Sequence, residues 1–266
     1  MPTPLQVEIA VQDAAGARIA LAAGAARVEL CQALGLGGLT PSAGLVAAAV
    51  EAAAAVRVAG FVHVLVRPRG GGFVYDADEA DLIERDIREC VRLGADGVVI
   101  GALEASGGVD LDLIARFVDA AGDLEVTVHR AVDAATDPVA AVASLAGTGV
   151  RRVLTSGGAA DCRSGLDGLA AMRAAVGDGL EVMAGGGLRI DDVAVLARLG
   201  LDAVHLSARR QVVAGASGPG GGVDGYDATD AGLVAAAVAA ARAARASSAA
   251  VVAIGEEHAT PASTAR

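Results

Sequence analysis

A (β/α)8 barrel is the fold class the sequence predicts, and three observations predict it. A short repeat recurs as GAARVEL (24–30), GADGVVI (94–100), GVRRVLT (149–155) and GLDAVHL (200–206), each with a Gly followed four residues later by a Val. Four further β-like runs lie between them: LQVEIAV (5–11), FVHVLVR (61–67), LEVTVHR (124–130) and LEVMAGG (180–186). Stretches of helical length separate the eight runs along the 266-residue chain, and no GxGxxG follows the first run, as an open doubly wound sheet would favour.

Each element has a local reason. In the repeat, a glycine ends an Ala/Leu-rich helix in the left-handed conformation and a buried strand follows. LIERDIRECVRLG (82–94) has helical periodicity and places Cys90 on a helix, whereas Cys162 falls in a loop. The Gly-rich part of VAGASGPGGGVDGYDATD (213–230) reads as a flexible loop before the last helix. That helix occupies much of 232–255, where Arg242, Arg245 and an Ala-rich composition argue against a membrane span. The expected division is a barrel over 1–246 and a flexible tail over 247–266 that carries His258.

Composition narrows the function. A hydrophobic fraction of 54% with 20% charged residues describes a chain able to bury a sizeable core. The net charge of −11 argues against nucleic acid or an anionic membrane as partner. All 21 basic residues are Arg, so lysine Schiff-base chemistry is excluded. Three widely spaced cysteines make neither a disulfide framework nor a CxxC zinc site. The N-terminal sequence has no basic region followed by an apolar core, which points to the cytoplasm.

Strand alternation then selects candidate site residues. Val28 and Leu30, Val98 and Ile100, and Val204 and Leu206 suit the helix-facing side, so Glu29, Cys31, Ser156, His205 and Ser207 point into the barrel. By the same parity His63 goes with Arg67, Thr127 with His129, and Glu8 joins them. So polar an interior is either a structural ion-pair network or a pocket at the C-terminal face, and the pocket is favoured here. Glycine-rich loops follow the third, sixth and seventh runs. Gly185, Gly186 and Gly187, with Ser207 and Arg209, form a candidate anion cradle. Arg67, Arg69 and Arg130 add positive charge at the rim. The candidate catalytic set is Glu29, His63, Arg67, His129 and Arg130, with His129 or Glu29 as general acid or base and the two arginines as anion stabilisers. The histidines His63, His129 and His205 could in principle converge on a metal, although strands three, five and eight are not neighbours. The ligand these groups fit is a small phosphorylated or carboxylated molecule. A barrel serving only as an interaction scaffold is the bland alternative.

Several motifs are long enough to carry a family resemblance. RVELCQALGLGGLTPSAG, VLVRPRGGGFVYDADE, VTVHRAVD, RVLTSGG and VMAGGGLR, in that order from about residue 5 to 210, closely resemble the CutC family, tied to bacterial copper homeostasis. The resemblance implies a TIM barrel, a cytosolic protein, often a homo-oligomer, and copper binding with thiols as ligands. The cysteine inside a matching motif is Cys31, in VELC, which makes it the candidate copper ligand.

Overall fold

The strands close on themselves. In the computed structural model, which describes residues 5–213, 215, 218 and 225–257 with side chains as far as residue 244, β1 (Gln6–Val11) pairs in parallel with both β2 (Arg27–Leu30) and β8 (Ala203–Leu206). Between them run β3 (Val62–Leu65), β4 (Gly97–Ile100), β5 (Glu125–Val128), β6 (Arg152–Thr155) and β7 (Glu181–Gly185), completing an eight-stranded parallel barrel. The helices α1 (Ala14–Ala23), α2 (Ala43–Ala55), α3 (Ala77–Leu93), α4 (Leu111–Ala121), α5 (Pro138–Ser144), α6 (Leu166–Val176), α7 (Val193–Arg198) and α8 (Ala231–Glu257) alternate with the strands. The predicted (β/α)8 barrel is the fold observed.

The repeat glycines behave as their pattern requires. Gly24, Gly94, Gly149 and Gly200 have φ of 78°, 78°, 89° and 71°, a region that side chains with a Cβ rarely adopt. The Gly24 and Gly94 amides donate back to α1 and α3, closing the helices before the chain turns into β2 and β4. At the other end of α3, Asp76 and Glu79 form a reciprocal capping box. Cys90 lies in α3 and Cys162 in the segment between β6 and α6; both thiols are buried, and burial pushes each up to about 12.

After β8, β9 (Arg209–Val213) and β10 (Gly225–Thr229) pair as an antiparallel hairpin, and the Gly-rich part between them, read as a loop, lies largely outside the described residues. Helix α8 runs from Ala231 to Glu257. His258 lies outside the described residues. Among those residues no helix is long and apolar enough to cross a membrane.

The main apolar core lies between the outer face of the strands and the helices, with Ile9, Val28, Val64, Val98, Val128, Val153, Val182 and Val204 at its centre. Inside the barrel only two small apolar clusters occur among the described residues. One is Cys31, Leu65 and Val99; the other is Leu154, Met183 and Ala203. Much of the rest of the interior is charged, and the strand register shows how it is layered. Glu8 stands beside Arg27 on one side and His205 on the other, Glu29 beside His63, and Arg152 beside Glu181 and Thr127.

Near the N-terminal ends of the strands the charges neutralise one another. Arg27 Nε donates to Glu8 Oε2 at 3.0 Å, and Arg152 meets Glu181 at 2.6 Å and Glu125 at 3.2 Å. Arg152 also donates to Thr127 Oγ1. Buried charges persist only when paired in this way, because an isolated one costs several kcal/mol, roughly.

Candidate active site at the barrel mouth

At the C-terminal ends of the strands a cavity of about 350 Å³ opens, the end at which barrel enzymes place their chemistry. Of the residues singled out from sequence, Glu29, Arg67, His129, Arg130, Gly186, Gly187, Ser207 and Arg209 line it, together with His205 and Phe73. Gly185, His63 and Cys31 do not. Gly185 gives up its side-chain space to Leu154 and His205. His63 is fully buried lower in the barrel, 3.9 Å from Glu125, and burial holds its imidazole down to about 4. Cys31 sits under the floor between Leu65 and Val99.

Glu29, His205 and Glu8 form a chain of three titratable side chains. Burial drives the Glu29 carboxyl up to about 7, opposed by the His205 charge and aided by that of Glu8. Its Oε2 lies 3.8 Å from His205 Nε2, while His205 Nδ1 lies 2.9 Å from Glu8 Oε1. Burial favours a protonated Glu8, but its bonds and charges with His205 and Arg27 outweigh that and keep it ionised far below the usual carboxylate range. Glu8 therefore accepts the Nδ1–H. Burial works against the imidazolium of His205, yet the Glu8 hydrogen bond and the charges of Glu29 and Glu8 raise it above its ordinary value. Glu29 is thus poised to gain or lose a proton near neutral pH, next to a His205 that favours its charged form.

His129, at the end of β5, is held differently. Its Nδ1 accepts the Ala131 backbone N–H at 3.2 Å, capping the 3-10 turn over Arg130–Ala134. The ring packs against Phe73 with centroids 5.0 Å apart and lies in space left open by Gly101, where any Cβ would collide with it. Burial and the Arg67 charge push the imidazole down to about 3, so it is neutral at physiological pH.

Two of the three cavity arginines, Arg67 and Arg130, are held in different ways. Arg67 donates to the carbonyls of Leu36, Gly38 and Gly71 and stacks on Phe73 at 5.1 Å, tying together the loops after β2 and β3. Arg130 is fixed by Asp133, through Nε to Oδ2 at 2.7 Å, and by Ser156 Oγ at 2.8 Å. Asp133 also accepts from Thr155 Oγ1, Ser156 and the Gly158 amide, so one carboxylate shapes the TSGG loop and aims Arg130. Arg130 lies against Gly186, whose φ is +108°; a Cβ there would come within 2.5 Å of Nη1. Among the described residues, the Gly186, Gly187 and Leu188 amides donate to no backbone carbonyl.

Two rim residues are more committed than the sequence implied. Arg209 reaches the cavity, but its guanidinium bonds Asp227 of the hairpin at 2.6 Å. Arg69 does not line the cavity, because it pairs with Glu79 of α3 and stacks on Tyr75.

A family model describing the CutC family matches residues 5–210. The chain belongs to the CutC family. A relative from Xanthomonas campestris pv. campestris (strain B100), named as a family protein CutC, is 42% identical over 214 residues, covering 80% of this chain and 87% of its own. A Photobacterium profundum protein of the same name is 36% identical, covering 77% and 82%. Among solved structures, a Streptococcus agalactiae CutC, proposed as a copper homeostasis protein, superposes with a TM-score of 0.70 at 27% identity, covering 76% of this chain and 98% of its own.

The donor set of this CutC chain does not suit thiolate-bound copper. The Cys31 thiol is fully buried, lies 3.6 Å from the Val11 carbonyl, and is held well above the usual thiol range by burial and by Glu29. Cu(I) requires accessible soft donors, and the thiolate is the ligand form of cysteine. Met183 Sδ lies against the Arg27 guanidinium, in a separate apolar cluster. Among the described residues no group of three or more His, Cys, Asp or Glu side chains could hold a metal ion.

Proposed function

We propose that the barrel mouth is the active site of an enzyme acting on a small phosphorylated or carboxylated metabolite. One observation carries the reading: a single cavity holds a carboxyl poised near neutrality, Glu29, together with an anchored guanidinium and a run of unengaged amides, Arg130 and Gly186–Leu188. Arg130 and the amides hold the anionic end. Glu29 transfers the proton, and His205 with Glu8 behind it orients the acid–base pair. Arg67 supplies positive potential from a buried position while bracing the loops. Ser207 and Arg209 complete the rim.

Calorimetric titration with inorganic phosphate and with 2-phosphoglycolate tests the reading. The wild-type chain is expected to bind both, and Arg130→Met to lose at least tenfold in affinity. Failure of the wild type to bind either, or unchanged affinity in Arg130→Met, contradicts it. Copper handling, named for the Streptococcus agalactiae relative, is the second reading, and its support is the family. An anaerobic Cu(I) titration decides it for this chain: stoichiometric binding lost in Cys31→Ser would support copper, and its absence leaves the enzyme reading. The homo-oligomer implied by the resemblance finds support in Leu82, Val91 and Leu111, exposed on the neighbouring α3 and α4.

A further inference from the structure

We infer that His129 is a fixed, neutral hydrogen-bond donor to a ligand oxygen while Glu29 moves the proton, so the reaction class is proton transfer at a carbon beside a carbonyl. This inference rests on the anion-binding mouth proposed above and specifies its substrate: a small phosphorylated hydroxycarbonyl compound.

The tautomer follows from geometry. The Nδ1 lone pair of His129 is occupied by the Ala131 amide of its own turn, so the ring hydrogen sits on Nε2. Nε2 is buried, has no acceptor, and belongs to a side chain that lines the cavity and is only 6% exposed. A buried donor left without an acceptor costs about 1–3 kcal/mol, and a ligand oxygen in the cavity would satisfy it. The charged and titratable groups that line the cavity with the ring are Arg67, Arg130, Arg209, Glu29 and His205. The Arg67 charge opposes an imidazolium, and the Ala131 amide blocks the position a second proton would take. Phe73 and the missing side chain at Gly101 fix the ring plane.

Enolisation needs a neutral donor and a carboxylate base, and His129 and Glu29 line one cavity. Glu29 takes a proton from the carbon next to the carbonyl. The C–H electron pair becomes the new carbon–carbon double bond, and the carbonyl π pair moves onto oxygen, which accepts the hydrogen bond from His129 Nε2–H. Glu29 then returns a proton to the enolate carbon, and no oxidant, reductant or lysine adduct is required. Because Glu29 lines the open cavity, its proton exchanges with solvent before return, so deuterium enters at carbon in D2O.

The test has two parts on the full chain. Dihydroxyacetone phosphate incubated in D2O is expected to gain deuterium at carbon, with exchange at least 100-fold slower in Glu29→Gln. His129→Gln, which keeps a neutral N–H but cannot act as a base, is expected to retain at least tenfold more exchange than His129→Leu. In parallel, 15N-histidine NMR of the ligand-free wild type reads the tautomer without requiring activity or a variant that folds. His129 is expected to be neutral and Nε2-protonated from pH 5 to 8, and its Nε2–H proton to move downfield on adding 2-phosphoglycolate. An Nδ1–H tautomer, an imidazolium at pH 6, or equal loss in His129→Gln and His129→Leu overturns the donor role. Binding of 2-phosphoglycolate without any carbon exchange overturns the reaction class alone and leaves the anion site standing. No binding at all overturns both.

Discussion

The two ends of the barrel interior contain the same kinds of side chain and use them in opposite ways. Toward the N-terminal ends, Arg27 and Arg152 are matched against Glu8, Glu125 and Glu181 at 2.6–3.2 Å. At the mouth, Glu29 has no arginine partner among the described residues, His129 Nε2 has no acceptor, and a cavity stands between them. Charges that satisfy each other hold a barrel together. Groups of the same type left partly unsatisfied beside a cavity have their reactivity to offer a ligand. Glu8 joins the two layers, bonded to Arg27 on one side and His205 on the other.

The largest expected effect comes from breaking the closed layer. Arg152→Met removes a guanidinium that is 2% exposed together with its ion pairs to Glu125, which is half-exposed, and to Glu181, which keeps Arg151. A loss of about 3–4 kcal/mol is expected in urea unfolding, from two charge-assisted contacts at about 1.5–2 kcal/mol each; a loss under about 1 kcal/mol would show that the layer is not a network.

The open layer predicts the opposite behaviour. Unfolded, Glu29 ionises near pH 4.5, whereas the folded chain holds its proton up to about pH 7. The folded state therefore binds more protons across that window, and stability falls as pH rises through it, by on the order of 3 kcal/mol. Glu29→Gln is expected to flatten this part of the stability–pH curve and to be more stable than wild type above pH 7. An unchanged slope between pH 4.5 and 7 would place the strain elsewhere.

Gly186→Ala gives a smaller stability effect with a larger functional one. Its Cβ meets the Arg130 guanidinium, and its φ of +108° is unfavourable for alanine. About 1–3 kcal/mol of stability is expected to be lost, with a fall in 2-phosphoglycolate affinity of tenfold or more. The smallest effect is that of Asp133→Asn, which loosens Arg130 but keeps part of the loop hydrogen bonding. A severalfold loss of affinity with about 1 kcal/mol of destabilisation is expected; affinity equal to wild type would free Arg130 from dependence on Asp133.

The open layer was more legible in the sequence than the closed one. Alternation from Val28, Val98 and Val204 places Glu29, His205 and Thr127 inward, and the structure agrees. The same alternation carried back toward the strand starts gives Arg27, Glu125, Arg152 and Glu181, but charges at strand starts equally fit a solvated rim, so sequence alone does not single them out. His63 shows the limit of parity: it points inward correctly but lies too low to reach the cavity, and depth along a strand depends on barrel stagger. Gly101 and Asp133 were missed for another reason. Their roles lie in the space one leaves for His129 and in the loop the other gathers, neither of which a single chain position reveals. The hairpin of β9 and β10 was hidden by the glycines between its strands, which read as loop composition.

The anion site at the mouth is tested most directly by a crystal structure of the protein grown with phosphate. The account predicts one phosphate in the cavity, within hydrogen-bonding distance of the Gly187 and Leu188 amides and of the Arg130 guanidinium. A mouth without phosphate, or an anion bound only on the outer helices, would contradict it.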